Sequence, residues 1–220
     1  ESSNGSSNGN GDVNVNDAVS WGANTLTLVA ANNVNVNAAL SGSGTSALVI
    51  NPTTTNGGEA AVAGGVISIN SNITTGGSQT YNGPVILAGN VAVASSGGSD
   101  IDFNSTVDGA YSLTASTSGA ITFDGAVGGS VALTGLTTTS GTLSAADTLN
   151  IGTGGLSVTT SGGGITQAAA FTVAGESAFN AGANAITLNN AGNDFTGAVN
   201  LTGGTTHIRD ASALTLGMLA

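Results

Sequence analysis

The chain has 220 residues, of which 36 are glycine, and charged side chains make up only 6 % of it. Its net charge is −11 and Arg209 is its only lysine or arginine, so it lacks the basic residues that nucleic-acid or anionic-membrane binding requires. The absence of cysteine excludes disulfides and thiolate metal sites. A hydrophobic fraction of 40 % is too high for a disordered linker, so we expect a packed core, and no segment is apolar enough to insert into a membrane.

An internal repeat of about 20 residues begins near the N-terminus. Residues 13–20 recur at 34–41, a shift of 21, and residues 101–107 recur at 121–127, a shift of 20. A further copy starts at Ile67, 33 residues after Val34, which predicts an inserted loop at about 51–65. A related aromatic-x-Gly-x-Val element occurs at 81–85, 123–127 and 195–199. We therefore divide the chain into a polar Ser/Asn/Gly lead-in, 1–11, and a single repeat domain, 12–220.

The repeat copies alternate apolar and polar residues, as in Val13/Val15 and Ile67/Ile69, with glycine, asparagine and serine between the runs. This alternation predicts short strands, and no helical periodicity is present. Three strands of three to five residues, joined by tight turns, use about 20 residues, which predicts an all-β parallel β-helix, a solenoid of about ten coils. Equivalent asparagines are expected to form ladders. Between positions 136 and 164 the repeat gives no clear register.

The densest acidic group contains Asp100, Asp102 and Asp124. It is a candidate Ca²⁺ site, although the Gly-Gly-x-Gly-x-Asp nonapeptide of calcium-binding β-rolls does not occur. Asp102 and Asp124 are also the pair that could approach closely enough for glycoside hydrolysis. The favoured interpretation of both the Ca²⁺ candidate and the carboxylate pair is a set of solvated carboxylates on separate coils. We therefore predict no catalytic residue, no enzyme activity and no cofactor.

Three other residues could take part in binding. His207 and Arg209 flank Ile208, so strand alternation places them together on the opposite face, where an exposed polar patch is expected. Trp21 begins a strand and is expected to cover the first coils rather than to bind sugar.

Several runs of the sequence resemble one protein family. They are Trp-Gly-Ala-Asn-Thr-Leu-Thr-Leu at 21–28, Asn-Val-Asn-Val-Asn at 33–37, Ile-Thr-Gln at 165–167, Phe-Thr-Val-Ala-Gly at 171–175 and Ala-Ile-Thr-Leu-Asn-Asn-Ala-Gly-Asn-Asp-Phe-Thr-Gly-Ala-Val at 185–199. Together they resemble the filamentous-haemagglutinin-like exoproteins, bacterial surface adhesins exported by two-partner secretion. The resemblance implies a right-handed parallel β-helix and export of the parent protein through an outer-membrane barrel partner.

One feature departs from that family. Its secretion domain carries Asn-Pro-Asn-Leu and Asn-Pro-Asn-Gly-Ile motifs, whereas this chain has only Asn51-Pro52, followed by Thr53. We therefore expect a shaft or passenger segment that lacks the secretion domain.

The predicted function is structural and adhesive. The chain is interpreted as a rigid shaft of a protein secreted to the bacterial cell surface, with a host or matrix glycan or protein as a possible partner. Binding is expected on exposed Asn, Thr and Ser ladders and on the loop at 51–65, since loops on a rigid scaffold often carry specificity. The alternative is a self-polymerising extracellular fibre or biofilm-matrix subunit that stacks head to tail, with itself as partner.

Overall fold

The computed structural model describes residues 11–52 and 65–220, and within them the protein is all-β. The first thirteen strands are β1 (Val13–Val15), β2 (Val19–Trp21), β3 (Thr25–Val29), β4 (Val34–Val36), β5 (Leu40–Gly42), β6 (Ala47–Asn51), β7 (Ile67–Ile69), β8 (Ile73–Thr75), β9 (Gln79–Tyr81), β10 (Val85–Leu87), β11 (Val91–Ser95), β12 (Ile101–Phe103) and β13 (Val107–Asp108). The others are β14 (Ser112–Thr117), β15 (Ala120–Phe123), β16 (Leu133–Ser140), β17 (Thr142–Ala145), β18 (Leu149–Thr160), β19 (Ile165–Thr166), β20 (Phe171–Val173), β21 (Ser177–Asn180), β22 (Ile186–Leu188), β23 (Asp194–Phe195), β24 (Val199–Thr202), β25 (Thr206–Ile208) and β26 (Leu216–Leu219). The described residues contain no helix that could cross a membrane.

These strands wind into a parallel β-helix with three faces, which confirms the predicted fold class. Face 1 consists of β1, β4, β7, β10 and β13, followed by the first part of β18 and then by β20 and β23. Face 2 consists of β2, β5, β8, β11, β14, β16, the end of β18, β21, β24 and β26. Face 3 consists of β3, β6, β9, β12, β15 and β17, followed by β19, β22 and β25. The described residues thus form nine coils and one strand of a tenth.

The pairing of strands confirms the repeat read from the sequence. Val34 pairs with Val13 on one side and with Ile67 on the other, so the shifts of 21 and 33 are real coil steps. Later coils are slightly longer, since Leu149 pairs with Phe171, 22 residues on. The predicted insertion at 51–65 falls mainly on 53–64, which lies outside the described residues, as does 1–10 of the predicted lead-in.

The core lies inside the coil and consists of the inward-facing apolar residue of each alternating pair. On face 3 it contains an aromatic stack, because equivalent positions on successive coils are Tyr81, Phe103 and Phe123. Their ring centroids are 4.7 Å and 5.0 Å apart, and the rings are nearly parallel. The hydroxyl of Tyr81 donates a hydrogen bond of 2.7 Å to Gln79 Oε1, and burial raises the pKa of Tyr81 far above its ordinary value.

The predicted asparagine ladders are present on the outside. Asn35 Nδ2 donates to Asn14 Oδ1 at 2.8 Å across one coil step. Near the end of the face 3 strands, Asn104 Nδ2 donates to Asn82 Oδ1 at 2.7 Å, and Asn82 Nδ2 donates to Asn51 Oδ1. Each amide thus donates to the coil before it, which ties the turns together along the axis.

Three strands are longer than the three to five residues predicted, and the first of them, β14, has six residues. β16 has eight residues and β18 has twelve, so β18 continues from face 1 onto face 2 without a break. Gly154 and Gly155 turn this strand at the corner, and Gly155 has a positive φ of 82°, which favours glycine. This long strand sets a register that the repeat did not reveal, in which Leu136 pairs with Leu156.

A buried asparagine joins the last three complete coils. Asn193 is fully buried, and its Oδ1 accepts hydrogen bonds from Phe171 N at 3.0 Å and Gln167 Nε2 at 2.6 Å. Its Nδ2 donates to the carbonyl oxygens of Leu188 and Arg209. The side chain therefore supplies partners for backbone groups of two successive coils and for the side chain of Gln167 on the coil before them.

Replacing Asn193 with alanine is expected to lower the free energy of unfolding by about 2–3 kcal/mol, because Phe171 N, Gln167 Nε2 and two backbone carbonyl oxygens all lose a hydrogen bond at once. Asn190→Ala in the same turn is the control, since its Oδ1 accepts one hydrogen bond, from Gly192 N at 2.9 Å. We expect a loss below about 1 kcal/mol for this control. Urea unfolding of both variants measures the difference, and equal losses would contradict the assigned role of Asn193.

Candidate functional site

The acidic residues singled out in the sequence lie close together on face 3. Asp102 of β12 pairs with Thr122 of β15, so Asp124 is two positions out of register with it. Asp100 Oδ1 accepts a hydrogen bond of 2.8 Å from Ala120 N. Within 11–52 and 65–220 no group of three or more His, Cys, Asp or Glu side chains is arranged to hold a metal ion. The interpretation of Asp100, Asp102 and Asp124 as solvated carboxylates rather than a Ca²⁺ site stays a prediction.

Asp102 is half-buried, and this desolvation raises the pKa of its carboxyl group. The neighbouring charges of Asp100 and Asp124 raise the pKa further, while a hydrogen bond from Thr122 opposes the change. The ionised form of Asp102 is therefore less favourable in the folded protein than in the unfolded chain.

Asp102→Asn is expected to stabilise the protein slightly at pH 7. Because the folded-state pKa is raised, the stability linked to Asp102 is fully present below its unfolded pKa and is lost as the pH rises through the folded value. The gain is at most about 0.5 kcal/mol, since solvent screens a half-buried carboxylate. Thermal unfolding of both proteins at pH 3 and pH 7 tests this. A benefit of the same size at both pH values would contradict it.

The residues near the C-terminal end of face 3 lie as the alternation predicts. His207 of β25 and the following Arg209 are exposed, while Ile208 packs against the core. Asp210 has a structural role, because its Oδ1 accepts a hydrogen bond of 2.9 Å from Phe195 N on the preceding coil. His207 and Arg209 thus form an exposed patch, whereas Asp210 supports the backbone.

Trp21 lies where it covers the first coils. It is half-buried and packs against the core, and its Nε1 donates a hydrogen bond of 3.1 Å to the carbonyl oxygen of Asn24. A side chain at Gly42 on the next coil would contact the indole ring, so the ring lies over that glycine. This arrangement matches the covering role predicted for Trp21.

Face 2 differs from the rest of the surface because none of its strands contains Asp, Glu, Lys, Arg or His. The ionisable residues of the described strands lie on the other two faces, as Asp102 does on face 3 and Asp108 and Asp194 do on face 1. The outward side chains of β11 to β24 form two rows of small neutral groups. One row is Ala92, Thr114, Thr137, Ser157, Ala178 and Asn200, and the other is Ala94, Ser116, Thr139, Thr159, Asn180 and Thr202.

A shallow groove runs along face 2 from β16 to β26, and we call it the face 2 groove. It consists of two adjoining depressions that share Ser157 and Ala178. Gly154 and Gly155 lower the surface at one border, where a Cβ on Gly155 would overlap the backbone oxygen of Glu176. The depression is therefore fixed by the backbone rather than by a movable side chain.

Hydroxyl and amide side chains recur along the face 2 groove, among glycine and apolar residues. Thr137 lies at one end, and Asn200, Thr202 and the exposed Met218 lie towards the other. Asn200 Nδ2 donates a hydrogen bond to the carboxylate of Glu176, and Asn200 Oδ1 accepts one of 2.6 Å from Met218 N. Glu176 is thus the one ionisable residue among those that line the groove.

The sequence reasoning named ladders of Asn, Thr and Ser as binding surfaces but did not locate this groove. Its centre, Ser157, lies in the stretch from 136 to 164, where the repeat gave no register. The available signal was the absence of ionisable residues from one strand of every coil. That pattern becomes visible only once the strands are assigned to faces.

Comparison of the chain with curated proteins and with solved structures gave no match. One protein family, described as repeats of unknown function (DUF5649), matches residues 128–202, about a third of the chain. The matched stretch extends from just after Val127 to the end of β24, and it includes all of the face 2 groove except Met218. The chain is therefore a β-helical protein with a segment similar to this repeat family.

Proposed function

We propose that this chain is a rigid structural and adhesive segment of a bacterial protein that is secreted and displayed at the cell surface. The observation that carries the proposal is the unbroken pairing of face 2, in which β2 is connected through eight intermediate strands to β26. At ~4.8 Å per coil, nine coils make a rod about 45 Å long. Bending such a rod would stretch the hydrogen-bond ladder on its convex side and compress the coils on the opposite side, and this resistance suits a load-bearing shaft.

The adhesive part of the proposal is supported by the surface chemistry. Exposed hydroxyl and amide ladders can donate and accept hydrogen bonds without the cost of desolvating charges. A net charge of −11 keeps separate rods apart and so favours display over aggregation. The resemblance to filamentous-haemagglutinin-like exoproteins agrees with this function and adds, as part of the proposal, export of the parent protein through an outer-membrane barrel.

Adhesion of coated beads tests the proposal. Beads that carry the purified chain are expected to attach to glycoprotein-coated surfaces and to epithelial cells under flow, whereas beads that carry heat-unfolded chain are not. Equal attachment of the two kinds of bead would contradict an adhesive function that depends on the fold. If the chain on beads recruits only further copies of itself from solution, the fibre-subunit alternative is supported instead.

A further inference from the structure

The charge of the face 2 groove restricts the class of ligand it can bind. Its only ionised side chain is the acidic Glu176, and Arg209, the single arginine of the chain, lies on the coil edge beyond β25. The chain as a whole carries a charge of −11. An anionic ligand, such as a nucleic acid or a sulfated glycan, would therefore be repelled. A neutral ligand is not, and its hydroxyl groups can donate to the Glu176 carboxylate.

The hydrogen-bonding groups of the groove favour a polyol over a peptide. The hydroxyl and amide side chains of Ser157, Thr159 and Asn180 both donate and accept, as sugar hydroxyls do. An extended peptide would seek unpaired backbone groups at a strand edge. The strands under the centre of the groove are paired on both sides, because β21 lies between β18 and β24. The centre of the groove thus presents side chains and no free strand edge.

The spacing of the groove also matches a sugar chain. Equivalent side chains recur once per coil, ~4.8 Å apart along the axis. The rise per ring of an extended β-linked hexose chain is similar, so successive rings can meet equivalent groups on successive coils. From Thr137 on β16 to Asn200 on β24 there are three coil steps, or about 14 Å, which accommodates about four rings.

We propose that the face 2 groove binds a neutral, extended β-linked oligosaccharide that lies parallel to the helix axis. The inference rests on the proposed adhesive function, for which it supplies the ligand class and the site. Ala178 lies at the centre of the groove, and its small side chain leaves room for the ligand. Glu176 and Asn200 hold each other in place through their hydrogen bond. At the margin of the groove the Glu176 carboxylate can still accept, and Asn200 Nδ2 can still donate, a hydrogen bond to the ligand.

Isothermal titration calorimetry with glucose and N-acetylglucosamine β-1,4 oligomers of increasing length tests the proposal. Affinity is expected to rise with length up to about four rings, the number that fits the groove. Ala178→Ile fills the centre of the groove and is expected to weaken binding about tenfold, as the loss of one or two neutral hydrogen bonds would. Thr114→Ile is the matched control, because it lies in the same outward row but outside the groove. We expect it to bind as the unaltered chain does.

Two outcomes would overturn the proposal. One is that no neutral oligomer binds, and the other is that Ala178→Ile binds them as tightly as Thr114→Ile does. If Ala178→Ile abolishes self-association at high concentration while no oligomer binds, the groove is an interface between copies and the proposal is wrong. The bead assay separates this proposal from the proposed function. If beads that carry Ala178→Ile still attach, the adhesive function stands but does not depend on the groove. If oligomers bind to the groove but beads do not attach, the groove is a binding site and the adhesive function is wrong.

Discussion

Gly76→Ala is expected to lower the free energy of unfolding by about 3 kcal/mol, the upper end of the range for overpacked interiors. Gly76 is buried at the corner between faces 2 and 3, where a Cβ would overlap the backbone carbonyl oxygen of Gly44 on the preceding coil. A backbone atom cannot move aside as the end of a side chain can. The two coils must therefore separate locally, which weakens the hydrogen bond from Gly76 N to Ser46 Oγ.

Gly22→Ala is the matched control for this prediction. Gly22 is exposed in the turn between β2 and β3, and a Cβ there would have no atom within 4 Å. Its φ is not positive, so alanine brings no backbone strain and we expect a change within about 0.5 kcal/mol. Urea unfolding followed by circular dichroism compares the two variants. If Gly76→Ala is as stable as Gly22→Ala, the coils are not stacked as closely as described.

Phe103→Ala is expected to have the largest effect of any truncation in the core, a loss of about 3–5 kcal/mol. Phe103 is 1 % exposed and lies between Tyr81 and Phe123, so its removal leaves a cavity and breaks both ring contacts. Stacked aromatic pairs add about 0.5–1.5 kcal/mol each beyond the burial of area. The two neighbouring rings cannot close the gap, because the strands that carry them are fixed by their ladders.

Two variants make this result specific to the stack. Phe103→Leu keeps much of the apolar volume and is expected to lose clearly less than the alanine variant. Asn104→Ala changes the next residue, which is exposed and donates one ladder hydrogen bond, so a loss of about 1 kcal/mol or less is expected. Chemical denaturation of all three gives the order of stability. An alanine variant no less stable than the leucine variant would contradict a closely packed aromatic stack.

The fold could be predicted because stacking requires equivalent residues on successive coils. The match of Ile101 and Phe103 to Ile121 and Phe123 in the sequence is the same pairing that joins β12 to β15. Likewise, the match of Val34 to Ile67 in the sequence is a pairing in the structure, although 33 residues separate the two. The alternation therefore defined the strands, and the matches between repeat copies defined their neighbours.

The related aromatic-x-Gly-x-Val elements lie at different places in the coil. Tyr81 and Phe123 end strands on face 3, whereas Phe195 ends β23 on face 1. Phe195 instead meets Phe179 edge to face, with ring centroids 6.0 Å apart. The reason is that this motif describes a turn between two strands. The same kind of turn serves two different corners of the coil, from face 3 to face 1 and from face 1 to face 2.

The face 2 groove could not be predicted from the sequence, because it depends on which strands lie side by side. Ser157 and Ala178 become neighbours only through the register of β18, and the repeat is unclear across that strand. The acidic group on face 3 was easier to find, since Asp100 and Asp102 are close in sequence and the clear repeat from 101–107 to 121–127 places Asp124 on the next coil. Short-range clusters are visible in a sequence, whereas a surface that crosses coils requires the register.

The central claim is that the chain forms a stiff rod of stacked coils that acts as a monomeric shaft. Negative-stain electron microscopy of the purified chain over a concentration series tests this most directly. The expected images show short rods of about 45 Å at every concentration, a length set by ~4.8 Å per coil. Filaments that lengthen with concentration would contradict the shaft and support a self-assembling subunit, and compact round particles would contradict the stacked coils themselves.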